Sequence, residues 1–174
     1  EGHKAGAKTA REAVKWSCEA GIKHITLWSL STENWKKRDA LEQKMIFSLI
    51  DDIPKFFGDF QKNRVQLDFI GNRSGLPQAT QDSLNRMEVE MKVENPQYFV
   101  HLALNYGGRE ELTTTIDRIR REVSIDTPLT EEMISSYLYT KNIPDVELIV
   151  RTGGHQRLSG FMPWQSVYSE FYFT

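Results

Sequence analysis

Apolar and polar positions along the 174-residue chain follow two repeats, one typical of helices and one typical of buried strands. Short runs rich in β-branched and aromatic residues have the second pattern. In chain order these runs are IKHITLWSLS, VQLDFIG, YFVHLALNYGG, VELIVRT and SEFYFT. Helical repeats lie between most of them, and this alternation predicts an α/β fold with a mostly parallel central sheet flanked by helices.

The two helices predicted first differ in how they end. The first begins near the amino end of the chain, with Ala10, Ala13, Val14 and Cys18 at helical spacing, and should stop at Gly21. The second should be kinked or split by Pro54. Its broad apolar face consists of Leu41, Met45, Ile46, Leu49, Ile50, Ile53 and Phe57.

Three further helices are predicted, two of them from residues at their start. Pro77 suits the first turn of one helix, and Thr130 is a suitable cap for another. The helix between them should bury a face formed by Leu112, Ile116, Ile119 and Val123. Because no repeat, low-complexity tract or linker interrupts the pattern, we predict a single domain over residues 1–174.

Composition excludes few classes of protein. The net charge of −2 gives no general attraction to nucleic acid. Cys18 is the one cysteine, so no internal disulfide can form, which fits a reducing compartment. No apolar run approaches the roughly 20 residues that a membrane-spanning helix needs.

The segment that follows the fourth predicted strand has the parts of an anion site. Gly153 and Gly154 allow a sharp turn with exposed N–H groups, and Arg151 and Arg157 supply forked donors for phosphate oxygens. Ser159 adds a hydroxyl, and Glu170 supplies a carboxylate through which a divalent cation could bridge to a phosphate. The alternative is a tight turn with solvated arginines.

Polar clusters also follow the first and third strands, as SLSTENWKK and LNYGGREE. Ligands of open α/β sheets bind beyond the carboxyl ends of the strands, so we expect the three strand ends to form one crevice. The alternative is that these residues only form turns. Trp35 beside Glu33 and Asn34 is unusual in a turn, which favours a functional segment.

The histidines have different interpretations. His3 lies at a helix start, where an anion could bind, although such a residue is also commonly just exposed. His24 and His101 lie in strands and are predicted to be packed or hydrogen-bonded, whereas the role of His155 stays open. No zinc-site spacing, G-x-S-x-G, Walker A or G-x-G-x-x-G motif is present.

The segments EGHKAGAK, SLSTENWKK, LALNYGGREE, SSYLYT and RTGGHQRLSGFMPWQSVYSEFYFT resemble, in this order, segments of cis-prenyltransferases of the undecaprenyl diphosphate synthase type. The resemblance covers nearly the whole chain. It implies a parallel α/β fold assembled as a homodimer. It also implies Mg²⁺-dependent condensation of isopentenyl diphosphate with an allylic diphosphate such as farnesyl diphosphate, forming a cis double bond.

The resemblance also implies residue roles. Asn34 would belong to a catalytic hydrogen-bond network that assists proton removal, with His3 near the diphosphates. Glu170 would be a Mg²⁺ ligand, reaching its own site or that of the dimer partner. The implied substrate-binding residues are His3, Ser31, Thr32, Glu33, Trp35, Lys37, Arg151, Arg157, Leu158 and Ser159. Residues of the NYGGR motif, which are Asn105, Gly107, Gly108 and Arg109, would brace the crevice.

Some positions depart from the family pattern. The family's first strand and its Asp-Gly-Asn-Gly-Arg-Trp loop should precede Glu1, so we expect a domain truncated at its amino end and at its carboxyl end, and inactive as it stands. Lys37 stands where arginine is common. Gln156 aligns with a metal-site histidine, and His155 precedes it.

Two other functions compete with this one. A non-catalytic subunit that scaffolds a partner prenyltransferase should have lost site residues. The site residues that this chain retains argue against it, and they are Asn34, Arg151, Arg157, Ser159 and Glu170. A nucleotide-binding α/β module should offer ribose or base contacts, which the strand-end loops lack. For the enzyme we expect a cytoplasmic location, with peripheral membrane contact because a long polyprenyl product must leave into lipid.

Overall fold

The computed structural model describes the backbone of residues 2–37, 40–58 and 60–174. Side chains of residues 2–5, 36, 37, 40–42, 44, 45, 49 and 56 lie outside the description. The described chain divides into two compact units, Glu1–Asn105 and Tyr106–Thr174. The single-domain expectation stays a prediction, and each unit is described on its own.

The first unit contains three parallel strands and most of the helices. In chain order it has α1 Gly2–Glu19, β1 His24–Trp28, α2 Thr32–Lys37, α3 Ala40–Asp51, α4 Ile53–Phe57, β2 Val65–Ile70, α5 Gln78–Glu90 and β3 Tyr98–Ala103. Short 3₁₀ turns at Phe60–Asn63 and Arg73–Gly75 flank β2. The strand order is β1-β3-β2, with Leu27 opposite Leu102 and Leu67 opposite Val100.

The second unit contains α6 Gly108–Glu122, α7 Glu131–Tyr137, β4 Leu148–Arg151 and β5 Glu170–Phe173. The two strands form a separate parallel pair. All five predicted strands are confirmed, and every described strand pairing is parallel. The α/β class is therefore confirmed.

Several helix predictions are confirmed by local chemistry. The second helix is split into α3 and α4 beside Pro54, which has no N–H to continue a helix. Gly21 follows α1 with φ of 79°, a left-handed conformation that glycine adopts freely. Thr130 caps α7, because its hydroxyl accepts a hydrogen bond from the Met133 N–H at 3.1 Å.

Helices and strands together form the core of the first unit, and four successive residues of β3, from Val100 to Ala103, are buried. Val14 of α1, Leu84 of α5 and Val100 of β3 are at most 1 % exposed. From the predicted face of the second helix, Ile46, Ile50, Ile53 and Phe57 belong to the same buried cluster. The side chains of Leu41, Met45 and Leu49 lie outside the described residues.

The predicted apolar face of α6 is wrong in part. Ile116 is 42 % exposed, whereas Glu111 and Thr115 are buried together with Ile119. These three residues are spaced four apart and therefore share one face of the helix. The buried face of α6 contains a carboxylate because polar partners satisfy it, as described below.

Within the described residues, no helix is long and apolar enough to cross a membrane.

Candidate functional site

The SLSTENW segment forms the start of α2 rather than an irregular turn. Ser31 Oγ accepts a hydrogen bond from the Asn34 N–H at 3.1 Å, and Glu33 lies in the first turn of the helix. A serine cap and an early carboxylate are typical helix-start signals. The side chains of Glu33 and Asn34 are exposed, whereas Thr32 is 6 % exposed.

The ends of β1, β2 and β3 meet within the first unit. The backbone N–H groups of Ser29 and Leu30 donate to the Ala103 carbonyl at 3.0 and 3.1 Å. Thr32 Oγ1 donates to the Asn105 carbonyl at 3.0 Å, which also accepts the Asn72 N–H at 3.2 Å. Of the three strand ends expected to form one crevice, the first and the third therefore meet. The fourth belongs to the second unit, so its part of the expectation stays a prediction.

Trp35 contacts protein on two sides. Its Nε1–H donates to the Gly75 carbonyl at 3.2 Å, and its ring meets the edge of Phe47 with centroids 5.3 Å apart. The side chains of His3 and Lys37, which were predicted to contact substrate, lie outside the described residues. Their roles stay predictions.

The RTGG segment of the second unit brings its predicted anion-binding residues together. Arg151 Nη1 donates to Ser159 Oγ at 2.8 Å and also to the Arg157 carbonyl. Gly153 and Gly154 have φ of 93° and 74°, and a Cβ at either would meet nothing within 4 Å. The loop is therefore closed at its base by Arg151 and leaves room above its glycines. The expected exposed N–H is wrong for Gly154, because it donates to the Thr174 carbonyl at 3.3 Å. Arg157 and Ser159 are exposed, and Leu158 is half-buried.

Glu170 lies at the other end of the strand pair. It pairs with Leu148, whereas Arg151 pairs with Phe173. The two positions are three residues apart along the strand pair, and parallel strands rise by about 3.3 Å per residue. The backbones of Glu170 and Arg151 in one chain are therefore roughly 10 Å apart. The described residues contain no group of three or more His, Cys, Asp or Glu side chains that could hold a metal ion. Glu170, His155 and Gln156 are all exposed.

A buried polar network, which the sequence did not predict, supports the segment after this loop. Glu111 is fully buried, and its Oε2 accepts hydrogen bonds from Tyr106 Oη at 2.7 Å and Gln165 Nε2 at 3.0 Å. Its Oε1 accepts the Tyr139 N–H at 2.9 Å, and Gln165 Nε2 also donates to Thr140 Oγ1 at 2.8 Å. Burial raises the pKa of Glu111, while these hydrogen bonds oppose the rise.

The start of α6 packs directly on the same segment. The Gly108 N–H donates to the Gly160 carbonyl at 2.8 Å, and a Cβ at Gly108 would meet Pro163 and the Gly160 carbonyl oxygen at 2.9 Å or less. Glycine is therefore required for this approach. The Gly-Gly exit of the third strand in the sequence was the available signal. No pattern could show which of Glu110 and Glu111 would be buried.

His24 and His101 are packed and hydrogen-bonded, as predicted. His24 Nδ1 and His101 Nε2 lie 3.1 Å apart, and both rings stack with Phe99. Asp68 Oδ2 lies 3.5 Å from His101 Nδ1. Burial lowers the pKa of His24, and the neighbouring His101 lowers it further.

Known proteins resemble this chain in sequence and in fold. The family model described as "Putative undecaprenyl diphosphate synthase" matches residues 1–174. An isoprenyl transferase of Streptococcus agalactiae is 39 % identical over 183 residues, covering 99 % of this chain and 72 % of that protein.

Two solved structures share the fold. One, described as a "probable undecaprenyl diphosphate synthase" from Campylobacter jejuni, has a TM-score of 0.84 and 33 % identity, covering 98 % of this chain and 80 % of the other. The other is lavandulyl diphosphate synthase from Lavandula x intermedia in complex with dimethylallyl diphosphate. It has a TM-score of 0.87 and 28 % identity, covering 100 % of this chain and 77 % of the other. The chain therefore belongs to the undecaprenyl diphosphate synthase family of cis-prenyltransferases, which are prenyl-transferring enzymes.

Proposed function

We propose that the protein condenses isopentenyl diphosphate with an allylic diphosphate such as farnesyl diphosphate, in a Mg²⁺-dependent reaction, to give a polyprenyl diphosphate. The observation that carries this proposal is the loop closed by Arg151, which joins Ser159 and the Arg157 carbonyl below two open glycines. Guanidinium groups and a hydroxyl are suited to diphosphate oxygens. The solved lavandulyl diphosphate synthase holds dimethylallyl diphosphate, an allylic diphosphate, which supports the substrate class.

In the proposed reaction the double bond of isopentenyl diphosphate attacks the first carbon of the allylic partner. The bond from that carbon to its diphosphate breaks, and pyrophosphate leaves with the electron pair. Loss of one proton from the isopentenyl unit then forms the new double bond. Arg151, Arg157 and Ser159 hold the isopentenyl diphosphate headgroup, and Asn34 belongs to the hydrogen-bond network that assists removal of the proton. Ser31, Glu33 and Leu158 line the bound substrates.

The described residues fit Mg²⁺ only together with substrate. Mg²⁺ in such sites is held by one or two carboxylates plus substrate phosphates, and exposed Glu170 supplies one carboxylate. Glu170 would help to hold the ion, which would supply positive charge to offset the negative charge of the departing pyrophosphate.

We also propose a homodimer in which Glu170 serves the site of the second copy. The separation of Glu170 from Arg151 within one chain supports this arrangement. Exposed apolar side chains in the same part of the second unit are suited to contact with another copy. They are Leu148, Val150, Val167, Tyr168 and Tyr172, each at least 54 % exposed.

The scaffold alternative has no observation in its favour, and the candidate site has kept Asn34, Arg151 and Glu170.

Equilibrium binding of isopentenyl diphosphate tests the headgroup site. Arg157 has an exposed side chain, so Arg157→Ala should leave the fold intact and weaken binding roughly tenfold or more, as expected for loss of a charge-assisted contact. Arg120→Ala removes the same charge from the exposed end of α6 and is the matched control. Equal affinity in the wild type and both variants would refute the assignment.

A further inference from the structure

Thr32 and Trp35 are positioned on either side of Asn34 in the six-residue helix α2. The resemblance assigns both to substrate contact, yet the structure joins both to protein atoms. Thr32 is 6 % exposed and its hydroxyl already donates to the Asn105 carbonyl. Asn34 between them is exposed and free to face a substrate.

The partners of Thr32 and Trp35 are themselves joined. The Asn72 N–H donates to the Asn105 carbonyl at 3.2 Å, and Asn105 Nδ2 donates to the Asn72 carbonyl at 2.8 Å. Asn72 Oδ1 accepts the Gly75 N–H at 3.0 Å, and Gly75 offers its carbonyl to Trp35 Nε1. The contacts therefore close into a ring that runs through Thr32, Asn105, Asn72, Gly75 and Trp35, which we call the α2 ring.

Asn105 has features of a residue held for function. Its φ of 49° is left-handed, which is uncommon outside glycine, and it is 2 % exposed. Among the described residues its Oδ1 has no hydrogen-bond donor, although the atom is buried. Asparagine adopts this conformation more readily than most residues. The unsatisfied buried Oδ1 is the stronger feature, because such atoms persist where the surrounding structure enforces them and are concentrated at functional sites.

Asn105 is also closely packed. A Cβ on Gly75 would lie 2.6 Å from Asn105 Nδ2, so the amide rests directly on the backbone that accepts the Trp35 hydrogen bond. Trp35 in turn packs against Phe47 of α3. Movement at Asn105 would therefore be transmitted to both sides of Asn34.

We propose that the α2 ring is a positioning device that fixes Asn34 for the reaction, and that Thr32 and Trp35 are its anchors rather than substrate contacts. The expected effect on kinetics rests on the proposed function. The geometry of the ring involves residues of the first unit alone. A displacement of about 1 Å in a positioned group is enough to slow an enzyme up to a hundredfold. Loss of an anchor should therefore lower kcat with little effect on KM for isopentenyl diphosphate, because the Arg151 loop is unchanged.

The test compares matched variants of the full-length protein. Thr32→Val removes the hydroxyl at nearly constant size, and Thr32→Ser retains it. Trp35→Phe removes the Nε1–H donor and keeps an aromatic contact with Phe47. We expect Thr32→Val and Trp35→Phe to lower kcat at least fivefold with KM for isopentenyl diphosphate within twofold, and Thr32→Ser to restore at least half of the wild-type kcat.

A double-mutant cycle distinguishes positioning from a general loss of stability. If Thr32 acts through Asn34, Thr32→Val added to Asn34→Ala should lower kcat less than twofold further. The proposal would be overturned if the double variant lost kcat by the product of the two single-variant factors. It would also be overturned if Thr32→Val kept the wild-type kcat. If Thr32→Val does not fold, the same cycle with Trp35→Phe decides.

Hydrogen exchange of the peptide spanning residues 31–37 provides a readout without turnover. Thr32→Val and Trp35→Phe should speed its exchange at least threefold, whereas Thr32→Ser should not. Unchanged exchange in both anchor variants would overturn the inference whatever the reaction is. Absence of turnover in the wild type with faster exchange in the variants would refute the proposed function and support the ring.

Discussion

Arg151 does two things in the structure: it closes the base of the Gly-Gly loop through Ser159 and the Arg157 carbonyl, and it keeps a charge beside the loop. Arg151→Ala removes both, so KM for isopentenyl diphosphate should rise about ten- to a hundredfold. This range corresponds to roughly 1.5–3 kcal/mol for hydrogen bonds to charged groups. Arg151→Lys retains the charge but not the planar guanidinium, so its KM for isopentenyl diphosphate should lie between those of the wild type and Arg151→Ala.

Steady-state kinetics of the three proteins measure this effect. A KM in Arg151→Ala equal to that of the wild type, with the protein folded, would remove Arg151 from the headgroup site.

Glu111 should make stability depend on pH in an identifiable way. Burial raises the pKa of its carboxyl in the folded protein, so the unfolded chain releases this proton at a lower pH. The contribution of this group to stability is therefore present in full below the pKa of the unfolded carboxyl and is lost as pH rises through the raised folded pKa. Glu111→Gln removes the titration at nearly constant size.

Urea unfolding of both proteins between about pH 4 and pH 8 tests the sign of this dependence. The free energy of unfolding of the wild type minus that of Glu111→Gln should fall as pH rises. A difference that stays constant with pH would show that the hydrogen bonds from Tyr106, Gln165 and Tyr139 balance burial, and one that grows with pH would show that they outweigh it.

At the scale of elements, the start of α6 and the Gly160–Pro163 segment leave no room for a side chain between them. Gly108→Ala places a methyl against the ring of Pro163 and the Gly160 carbonyl, so we expect a loss of about 1–3 kcal/mol in the free energy of unfolding. Gly6→Ala is the matched control, because a Cβ there meets nothing within 4 Å. In the helix α1 this control should be neutral or stabilising by up to about 1 kcal/mol.

Denaturant unfolding of both variants provides the comparison. Equal stabilities for Gly108→Ala and Gly6→Ala would contradict the close packing of α6 on this segment.

Elements with a long or strongly apolar pattern could be predicted from sequence, and shorter or mixed ones could not. Each strand is rich in β-branched, apolar or aromatic residues, and Pro54 splits its helix for a reason that is local to the chain. Helix α2 has six residues, too few to show a helical period, although Ser31 and Glu33 were the available signals. In α6 the apolar repeat suggested Ile116 for the core, but the hydrogen bonds of Glu111 determine the buried face.

At the scale of the molecule, the motifs indicated which residues cluster, but they did not indicate which distant residues are joined by hydrogen bonds. The Arg151, Arg157 and Ser159 cluster is formed by neighbours in sequence, so spacing was sufficient to predict it. The α2 ring joins residues up to 73 positions apart, and its contacts depend on strand order and register. The spacing of residues in the sequence predicts neither strand order nor register, because register is set by tertiary packing.

Subunit complementation tests the proposed dimer. If Glu170 serves the site of a second copy, a dimer of one Arg151→Ala subunit and one Glu170→Gln subunit contains one intact site and one site with both changes. Mixing and reassembling the two variants should then recover a substantial fraction of wild-type turnover, while each variant alone stays low. No recovery in verified mixed dimers would show that Arg151 and Glu170 of the same chain act together.

Transfer of labelled isopentenyl diphosphate to farnesyl diphosphate by the full-length protein tests the proposed reaction most directly. We predict extension that requires Mg²⁺, stops with excess chelator, and gives a product whose new double bonds are cis. A folded protein that extends no allylic diphosphate in the presence of Mg²⁺, or forms trans bonds, would contradict the proposed function.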